Sequence, residues 1–418
     1  MDHFAYKDGV MHAEDVPLPR IAQEVGTPVY VYSRATLERH ARVFREALDG
    51  VPDKLIAFAV KSNPNLAVLT VLKGQGYGAD VVSVGEMRRA LAAGIAPAKI
   101  VFSGVGKTAA ELAAALEAGI GQFNIESVEE GEELAAIAAG MGLTARCALR
   151  VNPDVDAGTH DKISTGKADN KFGVPIDEAG QIFGQLAGLG GVEMRGVAVH
   201  IGSQLADLAP LERAFGKLGE LIGALRNAGH TITHVDLGGG LGVPYRRGEE
   251  LPSPAEYGEM VARVTKDWGV TLIFEPGRVI AGNAGVLLTR VVRVKRGLNH
   301  PFVIVDAAMN DLARPALYGA YHDFVAVEPS GEDMTANIVG PICETGDTFA
   351  MGRECDRLAA GELAVFRTAG AYGATMASSY NSRGFVAEVL VDGDRYAVVA
   401  DRIEASAIMD AERVPEWL

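Results

Sequence analysis

Eight short apolar segments recur along the chain, and stretches rich in Ala, Leu and Glu separate them. The apolar positions are continuous rather than alternating, which is typical of parallel strands that are covered on both faces. The segments are KLIAFAVK (54–61), GADVVSV (78–84), KIVFSG (99–104), QFNIES (122–127), TARCALRVN (144–152), MRGVAVHIGS (194–203), HVDLGGG (234–240) and VTLIFEPG (270–277). Eight β/α units favour a (β/α)₈ TIM-like barrel. A doubly wound open sheet is the alternative, because periodicity alone does not distinguish the two.

The stretches between these segments carry helix signals. In SVEEGEELAAIAAGMG, Ser127 is followed three residues later by Glu130, which is the spacing of a capping box. We therefore expect a helix to begin directly after Ser127.

Beyond the last of these segments, apolar and polar positions alternate in short runs. In FVAEVLVDGDRYAVVADR the Asp-Gly pair at 392–393 predicts a tight hairpin, and the opening segment FAYKDGVMHAEDV predicts another at 8–9. Two domains are therefore predicted, in an α/β plus β chain. Residues 27–280 would form the barrel, and residues 1–26 with 281–418 would form an antiparallel β-barrel or β-sandwich that carries substrate and dimer-interface residues.

The charge balance excludes some classes of partner. The chain has 39 Lys and Arg against 54 Asp and Glu, a net charge of −15. Nucleic acid and anionic membrane surfaces are therefore not expected as partners. Glycine is abundant at 50 of 418 residues, but 48% of the chain is hydrophobic. The glycines therefore belong to a folded protein, at turns or where backbone approaches a ligand.

Cysteine usage and the N-terminus indicate a compartment. Cys147, Cys343 and Cys355 are too few for a disulfide framework and form no CxxC pair, so no metal site is predicted. Cys147 and Cys355 fit small buried hydrophobes. The N-terminus lacks the features of a signal peptide, and no apolar run has membrane-spanning length. We expect a cytoplasmic protein with no membrane partner.

Chemically functional residues stand at the ends of four predicted strands. Lys61 ends the first strand and His200 lies at the end of the sixth. Gly238–Gly240 ends the seventh, and Glu275 and Arg278 follow the eighth. Because active sites of such barrels form at the carboxyl ends of the strands, these four segments predict one site.

Each of these residues has both a chemical and an ordinary structural explanation. Lys61 fits a Schiff-base amine whose pKa is lowered by desolvation, or a lysine that extends to the barrel rim. The GGGLG run fits a phosphate cradled by backbone amides, with a hydroxyl from Ser203, or a tight turn. Glu275 and Arg278 fit a partner for a cofactor ring nitrogen and a clamp for a substrate carboxylate, or an ion pair. His200 fits a ring stacked on a flat cofactor, or a core histidine.

Three further clusters lie in the C-terminal part of the chain. Arg314 and Tyr318 offer a guanidinium and a phenol in a predicted loop, and Tyr372 stands between small residues in GAYG. Cys343 and Glu344 place a thiol beside a carboxylate among polar turn residues. Cys343 is therefore a candidate proton donor.

Together these motifs resemble the fold-type III pyridoxal-phosphate-dependent decarboxylases (the class-II ornithine, lysine and arginine decarboxylase family) over nearly the whole chain. In family order they are FAVKSNPN, NKFG (170–173) at the end of a long loop, VHIGSQ, LGGGLG, EPGR, RPALYGAYH, CETGD and GAYG. Ser62 stands where alanine is common and Thr345 where serine is common, and neither change removes a functional group. The resemblance is strongest to the members that convert meso-2,6-diaminopimelate to L-lysine and carbon dioxide, the last step of lysine biosynthesis. That reaction is the expected function.

The resemblance also implies a role for each site residue. Pyridoxal 5'-phosphate would be held by Lys61, Asp80, His200, Ser203, Gly238, Gly239, Gly240, Glu275, Pro276, Gly277, Arg278 and Tyr372. The substrate would be bound by Arg278, Arg314, Tyr318, Glu344 and Tyr372. Catalysis would involve Lys61, His200, Cys343 and Glu344, with either Cys343 or Lys61 returning the proton. Cys343 and Glu344 would come from the partner subunit of a homodimer with shared active sites.

Three other functions fit part of the pattern. A fold-type III decarboxylase of ornithine, arginine or carboxynorspermidine would share the cofactor residues. A cationic substrate tail, however, favours acidic residues where this chain has Arg278, Arg314 and Tyr318. A non-catalytic barrel protein that carries pyridoxal phosphate would need only Lys61 and the phosphate cradle. A Schiff-base aldolase would need Lys61 and no cofactor.

Overall fold

A computed structural model describes residues 2–156 and 170–418 of the chain. Residues 157–169, which belong to the long loop that ends in NKFG, lie outside the described residues. The contacts divide the chain into two compact units. The barrel unit consists of His40–Val243 and Glu250–Val279, and the β unit of the chain up to Arg39, Pro244–Glu249 and Ile280–Leu418. The first boundary falls later than residue 27, because a strand at Val29–Ser33 pairs within the β unit.

Within the described residues, eight parallel strands close into a barrel. The last strand pairs with the first and so completes the ring. The strands are Lys54–Ala59, Gly78–Val81, Ile100–Phe102, Gln122–Ile125, Ala145–Asn152, Val192–Ala198, His234–Asp236 and Thr271–Phe274. A two-residue strand, Val174–Pro175, pairs beside the fifth. The predicted barrel is confirmed, and the open-sheet alternative is wrong.

Helices alternate with these strands and bury one face each. In Ala109–Ala118, for example, Leu112, Ala115 and Leu116 are buried, which is the spacing of one helical stripe. The helices before, between and after the strands are Arg34–Ala47, Leu66–Gly74, Val84–Ala92, Ala109–Ala118, Val128–Met141, Ile176–Ala187, Ala209–Asn227, Pro254–Thr265 and Arg278–Ala281.

The predicted capping box at Ser127 is half present. The Ser127 hydroxyl accepts a hydrogen bond from the amide of Glu130, and the helix begins at Val128 as predicted. The Glu130 carboxylate does not return to the Ser127 amide. It accepts instead from the amide of Glu126 and forms an ion pair with the buried Lys107 at 2.6 Å. A buried ammonium without a counterion is costly, so this pairing takes precedence.

The β unit contains two sheets. A small sheet joins Phe4–Lys7, Val10–Ala13 and Val16–Pro17, which confirms the opening hairpin. The larger sheet system contains Val29–Ser33, Gly285–Lys295, Phe302–Val305, Phe324–Ala326, Asp333–Val339, Thr348–Asp356, Leu363–Phe366, Ala387–Asp392 and Arg395–Ala400. The last two strands form the predicted Asp-Gly hairpin.

The larger sheet system is mostly rather than wholly antiparallel. Val29–Ser33 runs parallel to Ala387–Asp392, and Phe302–Val305 runs parallel to Asp333–Val339. Short helices lie at Leu18–Glu24, Arg314–Tyr318 and Ala405–Met409. Across the described part of the chain, no helix combines the length and the apolar composition that crossing a membrane requires.

Candidate active site

Lys61 lies at the carboxyl end of the first barrel strand, in a turn rather than in the strand. The strand ends at Ala59, and Val60–Ser62 form one turn of 3₁₀ helix. The Lys61 Nζ is 2.8 Å from Oδ2 of the fully buried Asp80 in the next strand, and the lysine side chain is 38% exposed. The structure therefore does not show the predicted desolvation of this amine. An ion pair at an open strand end holds the amine instead.

Asp80 has a second oxygen that shapes the site. Its Oδ1 is buried and has no hydrogen-bond partner in the described part of the chain. A buried acceptor that is left unsatisfied costs about 1–3 kcal/mol. Asp80 therefore offers an acceptor to a donor of any group bound beside Lys61.

The Glu275-Pro276-Gly277 segment packs directly on the Lys61 turn. The amide of Ala59 donates to the Pro276 carbonyl oxygen at 3.1 Å. A Cβ atom at Gly277 would lie 3.1 Å from both Cβ and Oγ of Ser62. The absence of a side chain at Gly277 therefore lets the first and eighth strand ends approach each other.

Two buried carboxyl groups meet at the ends of the last two strands. Glu275 follows Thr271–Phe274, Asp236 ends the strand before it, and their side chains are hydrogen-bonded to each other. Burial, and then the negative charge of Asp236, raises the pKa of Glu275 well above its usual range. Burial also raises the pKa of Asp236. Two adjacent buried carboxylates cannot both ionise, so the pair keeps a proton, which Glu275 carries and donates to Asp236.

Polar side chains from the third and fourth strands fix the orientation of this pair. Asn124 Nδ2 donates to Asp236 Oδ2 at 2.8 Å and to Ser103 Oγ at 3.0 Å. Ser103 Oγ donates to Glu275 Oε1 at 3.3 Å. Gln122 Nε2 donates to Asn124 Oδ1 at 2.9 Å. All five side chains are buried, so this network holds the shared proton in a fixed, largely dry position.

His200 is held as a neutral ring. It lies two residues beyond Val192–Ala198, and its Nδ1 accepts a hydrogen bond from the amide of Gly239 at 3.2 Å. The proton of the neutral ring is therefore on Nε2. Burial, and then the charges of Arg150 and Lys61, lower the pKa of His200 well below its usual range. The ring is thus uncharged and fixed in orientation, as stacking on a flat ligand requires.

The three glycines after the seventh strand fill a narrow space. A Cβ at Gly238 would lie 2.5 Å from the carbonyl oxygen of Val199, and one at Gly239 would overlap the carbonyl oxygen of Glu275. Gly240 has a φ of +121°, which side chains rarely adopt. The glycine run therefore brings the sixth, seventh and eighth strand ends together.

The amides of this glycine run are not equally available to an anion. Those of Gly238 and Gly239 donate to the side chains of the carboxyl pair and the histidine, at 2.9 Å and 3.2 Å. Among the described residues, neither the amide of Gly240 nor the hydroxyl of Ser203 has a hydrogen-bond partner. The next helix begins only at Pro254, so no helix start adjoins the glycine run.

The barrel end has the groups that pyridoxal phosphate requires. Lys61 supplies an amine, Glu275 a protonated carboxyl group for a ring nitrogen, and His200 a flat uncharged ring. Gly240 and Ser203 supply an amide and a hydroxyl for a phosphate. The residues fit the cofactor, with one available glycine amide rather than three equivalent ones.

In the β unit, Arg314 belongs to a short helix and not to a loop. The helix Arg314–Tyr318 places Tyr318 one turn after Arg314, on the same side. Arg314 is buried, and its guanidinium lies 4.7 Å from the centre of the Tyr245 ring. It donates to Nε2 of the buried His322 at 2.9 Å. The structure thus holds the guanidinium in one place.

His322 is the positioning residue in this cluster. Its Nδ1 lies 3.0 Å from the carbonyl oxygen of Arg367, which can only accept a hydrogen bond. Nδ1 therefore carries the proton and Nε2 accepts from Arg314. Sequence reasoning quoted His322 as the end of RPALYGAYH and gave it no role.

Cys343 and Glu344 lie on an exposed loop whose base is fixed. The buried Asp347 accepts hydrogen bonds from the amides of Met309 at 2.6 Å and Ile342 at 2.7 Å. The thiol of Cys343 is not in a disulfide, and both Cys343 and Glu344 are exposed on this chain. The loop therefore presents a thiol and a carboxylate outward.

Tyr372 is held in an uncommon backbone conformation. Its φ is +55°, and the flanking glycines are tightly packed. A Cβ at Gly373 would lie 2.5 Å from the carbonyl oxygen of Ala369, and one at Gly370 would overlap that of Ala281. The GAYG sequence thus fixes the backbone that carries Tyr372 within the β unit.

Four of the five residues of the carboxyl network were missed by sequence reasoning, and Asp236 and Asn124 show what signal was available. Asp236 and Asn124 are polar residues inside apolar strands, at HVDLGGG and QFNIES. A polar residue in a strand that is covered on both faces was the available signal. The pairing of the two residues, which stand 112 positions apart, depends on the barrel register.

Asp236→Asn is expected to weaken the pH dependence of stability in the cofactor-free protein. The folded pKa of Asp236 is raised to about 6, above that of an unfolded aspartate. The stability it contributes is therefore present below the unfolded pKa and is lost as pH rises through the folded value. Thermal unfolding midpoints at pH 5 and pH 7.5 should differ more in the wild type than in the variant. An equal difference in both proteins would contradict the raised pKa.

Comparisons with known proteins agree with this geometry. Residues 34–282 match the family model for the pyridoxal-dependent decarboxylases, pyridoxal binding domain. The chain is 54% identical to diaminopimelate decarboxylase of Zymomonas mobilis over 418 residues, with 99% of each chain covered. It is 52% identical to that of Pseudomonas aeruginosa over 396 residues, with 94% of this chain and 95% of the relative covered.

Solved structures of diaminopimelate decarboxylases are also similar to this chain. Diaminopimelate decarboxylase of M. jannaschii superposes with a TM-score of 0.95 at 34% identity, covering 100% of this chain and 99% of that one. The Helicobacter pylori enzyme complexed with L-lysine superposes with a TM-score of 0.91 at 39% identity, covering 94% and 98%. The chain therefore belongs to the pyridoxal-dependent decarboxylases and, within them, to the diaminopimelate decarboxylase family.

Proposed function

We propose that this protein releases carbon dioxide from meso-diaminopimelate to give L-lysine, with pyridoxal phosphate as its cofactor. The observation that carries the proposal is the protonated Glu275–Asp236 pair beside the Lys61–Asp80 ion pair, at one end of the barrel. When bound, the cofactor supplies a protonated ring that takes up the electron pair left by the departing carbon dioxide. The protein must hold that proton and orient the substrate.

We assign the cofactor-holding roles to barrel residues and one tyrosine. Lys61 binds the cofactor covalently, and Asp80 orients the amine and offers its second oxygen to the bound group. Glu275 would share its carboxyl proton with the ring nitrogen, and the positive charge of the protonated ring would balance the additional negative charge on the Glu275–Asp236 pair. His200 packs on the ring. The contacts to the cofactor phosphate are assigned to Ser203, the Gly238–Gly240 backbone, Pro276, Gly277, Arg278 and Tyr372. Within the glycine run the Gly240 amide is the available donor, because the amides of Gly238 and Gly239 already donate to protein side chains.

The substrate-binding roles rest on charge. The distal carboxylate of diaminopimelate is assigned to Arg278, Arg314 and Tyr318, because a guanidinium can donate two parallel hydrogen bonds to a carboxylate. Arg314 is buried and positioned by His322. A substrate with a cationic tail, such as ornithine or arginine, would place a second positive charge against these guanidiniums. The charges of the assigned residues therefore favour an anionic tail over the rival substrates.

Arg314→Ala is expected to lower kcat/KM for meso-diaminopimelate about 100-fold, mainly through KM. The variant removes the charge-assisted hydrogen bonds that hold the carboxylate, and leaves the cofactor residues in place. Initial rates of carbon dioxide release across substrate concentrations measure the effect. His322→Ala, which only frees the guanidinium, should cause a smaller rise in KM. An unchanged kcat/KM in Arg314→Ala would remove this residue from the substrate site.

We further propose a homodimer in which Cys343 and Glu344 act in the partner's active site. Both side chains are exposed on this chain although the loop that carries them is well fixed. Cys343, with Lys61 as a rival, would return the proton to the carbon that lost carbon dioxide. A cytoplasmic location is also proposed, in keeping with three cysteines that form no disulfide.

A substrate panel tests the proposed function. Purified protein is assayed for carbon dioxide release with meso-diaminopimelate, ornithine, arginine and carboxynorspermidine, with and without added pyridoxal phosphate. Release is expected from meso-diaminopimelate alone, and L-lysine should be its product. Cofactor binding without release from any substrate would favour a carrier protein. The absence of visible cofactor absorbance after reconstitution would favour a cofactor-independent Schiff-base enzyme.

A further inference from the structure

The opposite end of the barrel contains a cavity that is lined by both polar and apolar residues. Its volume is about 210 Å³. Its lining comes from the first residues of several strands, among them Arg146, His234 and Thr271, and from Arg195 within the sixth strand. Active sites of such barrels lie at the carboxyl ends of the strands, so this cavity is separate from the site described above.

The inner wall of the cavity is apolar. Leu55, Val101 and Ile273 line it, and Val101 and Ile273 belong to a small buried cluster with Ala57. That cluster closes the barrel interior beneath the cavity. A ligand would therefore meet an apolar wall on one side and the cationic side chains at the entrance.

Two arginines share this space without a carboxylate to neutralise them. Among the described residues, no carboxylate forms an ion pair with Arg146 or Arg195. Burial, and then the nearby positive charge of Arg146, lower the pKa of Arg195. Asp53 and Glu193 are the acidic groups that act on the cavity residues. Asp53 accepts a hydrogen bond from the Thr271 hydroxyl at 2.6 Å.

Arg195 also has an unused donor. Its NH2 group donates to the Gly121 carbonyl oxygen at 2.8 Å and to Gln122 Oε1 at 3.3 Å. Its Nε is buried and has no hydrogen-bond partner in the described part of the chain. An unsatisfied buried donor on a charged group is costly. Because Nε is closed off from solvent, a ligand in the cavity would contact the terminal NH groups of Arg195 instead.

His234 is the third basic side chain that lines the cavity. Its Nδ1 lies 2.9 Å from the Thr233 hydroxyl oxygen. Burial, then the charges of Arg195 and Arg146, lower the pKa of His234 to about 4, against the opposing effect of Asp53. The neutral imidazole therefore leaves the two guanidiniums as the positive charges of the cavity.

We propose that this cavity binds a small, doubly charged oxyanion, held by Arg146 and Arg195. A guanidinium pair matches the oxygens of a phosphate or of a dicarboxylate. A volume of about 210 Å³ admits a small metabolite and excludes a nucleotide of ordinary size. The site is independent of the active-site cofactor, whose phosphate contacts lie at the other end of the strands.

Calorimetric titration of the cofactor-loaded protein tests the site. Inorganic phosphate and succinate are titrated separately at constant ionic strength, with chloride as the reference anion. Saturable binding of one anion per chain is expected from phosphate, succinate or both, and the two titrations distinguish the phosphate from the dicarboxylate. Loading the cofactor first occupies the phosphate contacts proposed for the active site, and the Arg146 variant below distinguishes the cavity from the residues assigned to the substrate carboxylate.

Arg146→Gln is expected to weaken that binding about tenfold. Arg146 is exposed at the rim, so its replacement should leave folding intact. Arg195→Lys, which keeps the charge but loses the planar donor pair, should also weaken binding. Arg88→Gln, an exposed arginine on the helix Val84–Ala92, is the matched control and should bind as the wild type does. Absence of saturable binding, or equal affinity in Arg146→Gln and the wild type, would overturn the proposal.

Discussion

Replacing Lys61 by alanine is expected to lower kcat for carbon dioxide release by about 10⁴-fold or more. The variant loses the amine that Asp80 holds at 2.8 Å and that we assign to covalent binding of the cofactor. It also leaves the Asp80 carboxylate buried without its counterion. Steady-state kcat and the visible absorbance of the reconstituted protein measure the two losses separately.

Lys61→Arg distinguishes the amine from its charge. Arginine keeps a positive charge that can pair with Asp80, but its guanidinium stays protonated in proteins and is no nucleophile. We expect it to unfold at a temperature close to that of the wild type and to lose as much activity as Lys61→Ala. Activity of Lys61→Arg within tenfold of the wild type would show that the ion pair matters rather than covalent attachment.

Much of the candidate site could be predicted because a barrel brings its strand ends together. Once eight strands were recognised, Lys61, His200 and Glu275 had to lie at the same end, whatever their separation in sequence. The details near Lys61 could not be predicted. Whether a lysine after an apolar run is desolvated or paired depends on the neighbouring strand, and here that strand supplies Asp80.

The carboxyl network shows a second limit of sequence reasoning. Glu275 was predicted as a partner for a ring nitrogen, but it retains a proton because it is buried and because it lies beside the negative charge of Asp236. The sequence presents Asp236 only as a polar residue shortly before three glycines. The register of the closed sheet determines that contact. The same register directs two glycine amides to protein acceptors, so the glycine run is less available to an anion than its composition predicts.

The β unit was the least predictable part of the fold. The strands Asp333–Val339 and Thr348–Asp356 were not recognised, although together they form a long hairpin. Their solvent-facing positions carry charged and small residues, so alternation is weak. The strand Val29–Ser33 falls within the predicted barrel range of residues 27–280, but it pairs with strands that follow residue 280. Long-range pairing of this kind leaves little trace in local sequence.

Equimolar mixing of Lys61→Ala with Cys343→Ala is expected to restore about a quarter of the wild-type activity. Each variant alone should be inactive or nearly so, because loss of a positioned proton donor lowers kcat by roughly 10²- to 10⁴-fold. Random exchange of subunits makes half of the dimers mixed. If Cys343 serves the partner's active site, each mixed dimer has one site with both residues intact. The exposure of Cys343 and Glu344 on this chain is the structural reason to expect this.

A second mixture provides the control for that experiment. Lys61→Ala and Glu275→Gln both alter the barrel of their own chain, so no site in a mixed dimer has both residues intact and activity should stay low. Mass spectrometry of differently tagged subunits establishes that exchange has occurred in both mixtures. With exchange established, no recovery in the Cys343 mixture would mean that Cys343 acts within its own chain or not at all. Recovery in the Glu275 mixture would contradict the assignment of Lys61 and Glu275 to one barrel's site, because those residues lie just beyond the ends of two paired strands of the same closed sheet.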